Sequence, residues 1–305
     1  MTPGINKLKT WVLIAAMGGL FVLVGAWIGG RSGAELALGI GLIFNFSMYW
    51  FSDKIAIATT HSKPVTEAQY PQLYRIVREL AADHSMPMPK IFVSEMQQPN
   101  AFATGRSPAH ASVAVTQGIL QILDDRELRG VLAHELSHVT NRDILISSIA
   151  AAIGMSITFL ARFALFFGGG EDNNGGGNMI AVLAAWILAP LAAALIQMAI
   201  SRSREYQADE SGAFLSKDPE ALASALRKLD ATSKQIPPPR SLAPAEAHMF
   251  IVNPMAALRG GGSFGRLFST HPPTEQRIAR LEAIKAEMNA TPVAPRRPDP
   301  QFREL

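Results

Sequence analysis

Apolar residues are distributed in two different ways along this 305-residue chain. Four blocks run almost without interruption, at 10–30, 34–51, 144–167 and 179–200. Each is about as long as a helix that crosses a hydrocarbon core. Elsewhere apolar residues recur at helical or strand spacing, the pattern of a domain that faces water on one side. The first block has no charge, and the second has only Glu35 at its edge and ends in Tyr49 and Trp50, as interfacial aromatics do. The third contains Arg162 and the fourth no charge at all. Another span follows the first block at once, and no small-residue cleavage site lies between them. It therefore reads as an anchor and not as a cleaved signal.

Basic residues in the short flanks set the orientation. Lys7 and Lys9 precede the first span, Lys54 follows the second, Arg142 precedes the third, and Arg202 and Arg204 follow the fourth. The 168–177 connector is Gly-rich and acidic. The positive-inside rule then puts both termini and the polar segments on the cytoplasmic side. The expected organisation is an N-terminal transmembrane hairpin at 1–52, a first domain part at 53–143, a second hairpin at 144–200, a second domain part at 201–290, and a Pro/Arg-rich tail at 291–305.

Within the polar parts, the pattern predicts a helix around 70–84, a short strand at 90–93, a turn or short strand at 100–105 and a strand at 111–116. A helix follows Asp124, which is a plausible N-cap with Glu127 three positions on, as a capping box requires. Leu128, Val131, Leu132, Leu136 and Val139 give that helix a buried side. Further helices are expected around Glu205, at 219–232 and at 274–288, with a Pro-rich loop at 236–244 and a loop at 249–268.

The helix after Asp124 carries His134-Glu135-Leu136-Ser137-His138. Two imidazoles four residues apart share a helix face and can reach one Zn²⁺, and the neighbouring Glu can hold a water and take its proton. A catalytic site needs a third protein ligand and an open fourth position. Glu205 and Asp209 also share a helix face. One carboxylate of the pair can bind zinc and the other can fix the tautomer of a ligating His. At about 1.5 Å per residue, Glu205 lies roughly 7–8 Å beyond the fourth span and, if the helix is continuous, His138 lies roughly 9 Å before the third. An antiparallel hairpin between them brings both to one depth.

Composition narrows the classes. The chain is 48% hydrophobic and 17% charged, apolar enough that part of it belongs in lipid. The net charge of +3 is small and basic residues are not clustered with aromatics, so no nucleic acid is expected as a partner. There is no cysteine, which excludes disulfides and thiolate zinc ligands.

The stretches 134–143 (H-E-L-S-H-V-T-N-R-D) and 204–209 (R-E-Y-Q-A-D), with spans between them, resemble the HtpX-type membrane zinc metalloproteases. These are relatives of the CAAX prenyl proteases and the mitochondrial Oma-type proteases. The 100–105 stretch and the 270–281 stretch agree as well. The resemblance implies a mainly helical α+β fold: about four transmembrane helices and a cytoplasmic gluzincin-type domain with a small sheet. It implies a multi-pass inner-membrane endopeptidase with one Zn²⁺ per chain. Its substrates would be damaged or misfolded membrane proteins and unfolded polypeptides, handled in membrane quality control beside other such factors. Carried over by position, His134, His138 and Glu205 are zinc ligands, Glu135 is the general base and Asp209 orients a ligand.

Two further assignments come from the residues. His271, beside Pro272-Pro273, is the candidate donor to the tetrahedral oxyanion, or else a cap on the helix that follows. The 111–116 strand, with Val113, Ala114 and Val115, is the candidate edge for pairing an extended substrate, and Asn100, Ala101 and Phe102 lie nearby. The competing readings are a prenyl-protein-type protease and a scaffold with structural zinc. The first has relatives with more spans. The second would need a fourth protein ligand that no Cys supplies.

Overall fold

The computed structural model describes residues 3–141, 143, 202–236, 250–252 and 272–290. Both expected spans of the second hairpin, its Gly-rich connector, most of the 236–244 and 249–268 loops, His271 and the 291–305 tail lie outside the described residues.

The described residues are mainly helical with one small mixed sheet. Helix α1 (Pro3–Thr59) covers both N-terminal apolar blocks and is broken at Gly29 and Gly30. Gly30 has φ +59° and ψ −142°, a conformation that a side chain disfavours and that turns the chain back. The two arms then pack antiparallel. The Phe21 and Phe44 rings lie 5.3 Å apart, and a Cβ on Gly25 would meet the Ala37 Cβ at 2.4 Å. Among the described residues no helix is long and apolar enough to cross a membrane. The arms nonetheless turn large apolar groups outward. Trp11, Leu23, Leu36, Leu42, Ile43 and Phe46 are all more than 60% exposed.

After α1 come β1 (Lys63–Pro64), α2 (Pro71–Asp83), β2 (Lys90–Ser94) and β3 (Ala101–Gly105). Then follow β4 (Ala111–Thr116), α3 (Gln117–Ile122) and α4 (Asp125–Thr140). The later helices are α5 (Arg202–Ser216), α6 (Pro219–Ser233) and α7 (Thr274–Ala290). The sheet order is β1-β2-β4-β3, with β2 and β4 parallel and the other two pairs antiparallel.

This order corrects one expectation. The 111–116 strand is not an edge, because β2 and β3 bond to its two sides. Val113, Ala114 and Val115 are at most 1% exposed, so they cannot pair with a substrate. Among the described residues, the unpaired edge on this side belongs to β3. Alternation along the strands divides the sheet's neighbours. Ile91, Val93, Val113 and Val115 face the main core with α2, α4 and α6, whereas Phe92, Phe102 and Ala114 face Ala56 and Ile57 of α1.

Helix α4 runs through the middle of the domain. Its start is the expected capping box: Glu127 N–H donates to Asp124 Oδ1 at 2.8 Å and Asp124 N–H to Glu127 Oε2 at 3.1 Å. Lys228 and Ser224 of α6 donate to the same Glu127 carboxylate at 2.6 and 2.7 Å and tie that end to α6. Leu132 and Leu136 are fully buried, each contributing roughly 1.5–3 kcal/mol of burial. Two glycines let neighbouring backbones reach contact. A Cβ on Gly130 would lie 2.8 Å from Leu222 N of α6, and one on Gly212 of α5 would lie 2.8 Å from His134 N. The helix that carries both histidines is thus held between α5 and α6 at backbone distance.

Candidate metal centre

His134 and His138, one turn apart on α4, stand edge to face with ring centroids 4.8 Å apart. Both turn Nε2 toward Glu205 on α5. His134 Nε2 is 3.7 Å from Glu205 Oε2, and His138 Nε2 is 3.6 Å from Glu205 Oε1. One ligand atom from each residue lies within 4.8 Å of the others. Tetrahedral bonds of about 2.0–2.1 Å separate neighbouring ligand atoms by about 3.4 Å. The three residues therefore fit one small cation.

The other imidazole nitrogens have carboxylates of their own. His134 Nδ1 is 3.0 Å from Asp209 Oδ1, as the sequence leads one to expect of a ligand-orienting acid. His138 Nδ1 is 3.4 Å from Asp143 Oδ2, a partner that the sequence reading leaves unassigned. Asp143 in turn lies 3.9 Å from Nη1 of Arg204. Arg204, read in the sequence as a basic flank of the fourth span, is buried. Burial pushes its pKa down, against the pull of Asp143 and Glu205.

A second buried guanidinium was also hidden in the sequence. Arg277 of α7 is 1% exposed. It donates from Nε to Asp209 Oδ2 at 2.9 Å and from Nη2 to Asp209 Oδ1 at 2.7 Å. Its Nη1 is 4.0 Å from Glu205 Oε2. The available signal was a lone Arg in line with Leu281 and Ile284, the apolar face of its helix.

Charge explains why these groups tolerate burial together. Glu135, Asp143, Glu205 and Asp209 are buried, against Arg204 and Arg277. Four carboxylates and two guanidiniums leave a deficit of two positive charges, which a divalent cation supplies. With no cation, the imidazole of His138 takes up part of that role. Burial opposes its charge, but Asp143, Glu205 and Glu135 outweigh burial and raise its pKa to about 9. Burial likewise raises Asp209, yet Arg277 and His134 hold its carboxyl down at about 2.

Glu135 points the other way, toward the sheet. Ala103 N–H of β3 donates to its Oε2 at 3.2 Å. The ladder agrees with that direction. Thr116 N–H bonds Asn100 C=O and Asn100 N–H bonds Thr116 Oγ1, each at 2.9 Å. With Phe102 opposite Ala114, the alternation of an antiparallel pair turns the backbone groups of Ala101, Ala103 and Gly105 outward. Asn100 closes the strand's start, its Oδ1 accepting Ile251 N–H at 3.1 Å. Asn100, Ala101 and Phe102 are themselves buried, and along β3 only Ala103 is partly exposed.

The model of peptidase family M48 matches residues 67–285. A "Protease HtpX homolog" from Ralstonia pickettii (strain 12J) is 54% identical over 277 residues, covering 90% of this chain and 96% of that protein. One from Burkholderia mallei (strain SAVP1) is 52% identical with the same coverage. The crystal structure of S. mikatae Ste24p has a TM-score of 0.49 at 18% identity, over 91% of this chain and 66% of that one.

Proposed function

This chain belongs to peptidase family M48, and from that premise we propose that it is a zinc-dependent endopeptidase of the bacterial inner membrane. It acts on damaged or unfolded membrane polypeptides, and both termini and the site face the cytoplasm. The observation that carries the chemistry is the convergence of His134, His138 and Glu205 beside the carboxylate of Glu135. What supports the membrane setting is the outward apolar surface of α1 together with the uncharged 10–30 and 179–200 blocks. In this reading 1–52 and 144–200 are hairpins in lipid, and 53–143 and 201–290 form one catalytic domain.

His134, His138 and Glu205 hold the ion. Zn²⁺ there supplies a Lewis acid and an activated water. The protein's own groups do the rest. Asp209 and Asp143 each accept the Nδ1 proton of one histidine and leave its Nε2 lone pair free for the metal. Glu135 takes the proton of the attacking water and later gives it to the leaving amine. An extended substrate adds to the edge of β3 at Ala103, the one partly exposed residue of that strand, which lays a peptide bond beside Glu135. His271 is our candidate for the second oxyanion donor.

The test is cleavage of an unfolded polypeptide by purified wild type and Glu135→Gln, with and without added Zn²⁺ after chelation. The expected result is zinc-restored cleavage by wild type only, with the variant retaining its metal. Equal cleavage by both proteins would sink the mechanism.

A further inference from the structure

The second arm of α1 does not stop where its apolar surface stops. Trp50 and Phe51 are the last exposed large apolar groups on it, and Asp53 and Lys54 follow. The helix then continues to Thr59 and lies across the back of the sheet. Ala56 and Ile57 pack there against Phe102, Ala114 and Phe92. At the other end of this contact, the guanidinium of Arg106 stacks on the Trp50 ring, 4.6 Å from its centroid. As β3 runs from Phe102 toward Arg106, α1 is followed backward from Ala56 to Trp50. The helix and the open-edged strand are therefore joined at two points, antiparallel to each other. Ala103, which meets Glu135, is the next residue after Phe102.

The contacts set a distance. Ala56 is six residues beyond Trp50 along a helix, or about 9 Å. The sequence places Glu205 roughly 7–8 Å from the fourth span, whereas the matching figure for His138 needs a continuous helix and α4 ends at Thr140. Two separate parts of the chain thus put the site at one depth. An extended polypeptide covers about 9 Å in roughly three residues.

We propose that the second arm of α1, through the Trp50–Arg106 stack and the Ala56–Phe102 contact, is a ruler. It holds the β3 edge at a fixed short distance from the membrane boundary, so the enzyme selects peptide bonds about three to six residues from the end of a substrate's own span. This rests on the membrane reading of the preceding section. The selection is kinetic. A bond closer than about three residues cannot reach Glu135. One just beyond is presented at the effective concentration of a short tether, which falls as roughly the −3/2 power of tether length. An untethered peptide feels none of this.

The test uses the full-length enzyme in proteoliposomes. Single-span substrates carry one cleavable bond at graded positions, from the span's end to about 30 residues beyond it, in a Gly/Ser linker. The same cleavable peptide is also supplied without a span. The expected profile has no cleavage at the boundary, a maximum at about three to six residues, and a fall of roughly tenfold or more by about 30. In Trp50→Ala with Arg106→Ala the maximum broadens or shifts, while the untethered peptide is cleaved within about twofold of wild type. A flat profile with the untethered peptide still cleaved would overturn the ruler but leave the protease intact. An unchanged maximum in the double variant would overturn the role of these two residues. Failure to cleave any substrate, tethered or free, would instead refute the endopeptidase reading. The wild-type profile decides the question even where the variant does not fold.

Discussion

Arg277 and Asp209 form a two-pronged ion pair in which neither side chain touches solvent. The pair fixes the acid that fixes His134. Breaking one partner of such a pair leaves a buried, uncompensated charge and costs about 3–5 kcal/mol. Arg277→Ala is therefore expected to lower the thermal midpoint markedly and to weaken metal binding. Arg277→Lys should recover little of either, because an ammonium cannot reproduce the planar fork. Calorimetry and metal titration on both variants check this. Recovery by Lys would show that charge alone matters.

The same pair has a signature in acid. Asp209 titrates at about 2 in the folded chain against an ordinary 3.8. A depressed carboxyl stabilises the fold above its unfolded pKa, and that contribution is lost as pH falls through the folded value. It is worth roughly 2 kcal/mol. Asp209→Asn should lose this part of the acid dependence between pH 4 and 2, measured as stability against denaturant at each pH.

Metal binding should follow the opposite limb. His138 has its pKa raised from 6.5 to about 9 in the metal-free chain. Its charged form stabilises that chain fully below 6.5, and the contribution disappears as pH rises through 9. A metal ion must displace this proton. Apparent affinity is expected to strengthen by up to tenfold per pH unit below about 9 and then level off. Competition against a chelator between pH 6 and 10 gives the slope, and a flat response would remove His138 from the ligand set.

Asp143→Asn keeps the shape of the side chain but removes the charge facing both His138 and Arg204. Loss of a carboxylate that orients a ligand typically costs 10–100-fold in affinity. We expect that loss in metal affinity, with secondary structure by circular dichroism unchanged. Asp143→Ala should be worse, because it also removes the polar group that faces His138 Nδ1.

Gly212→Ala tests the helix packing. The added Cβ would sit 2.8 Å from the backbone N of His134, where no flexible side chain can move aside. Overpacking of this kind costs about 1–3 kcal/mol. It should also displace His134, so stability and metal affinity are expected to fall together. Loss of stability with unchanged affinity would show that α4 shifts as a rigid unit.

Much of the centre could be read from the sequence because its chemistry is local. His134 and His138, and likewise Glu205 and Asp209, repeat at the spacing of one helical turn, and Asp124 with Glu127 announces the helix start. The residues that escaped depend on contacts made across the fold. Arg277 and Arg204 look like ordinary helix-surface arginines until α4 closes over them. The open edge was assigned to the wrong strand because 111–116 reads the same whether or not β2 lies beside it. The β2–β4 pairing is parallel and joins distant segments, so nothing within the strand reveals it.

The order in which the site's parts occur along the chain has its own consequence. His134 and His138 leave the ribosome first, Glu205 and Asp209 follow only after the 144–200 segment, and Arg277 comes close to the end. A nascent chain that holds the histidines lacks the proposed third ligand, and one that holds all three proposed ligands still lacks the guanidinium that locks Asp209. The cluster is therefore incomplete until synthesis has passed Arg277.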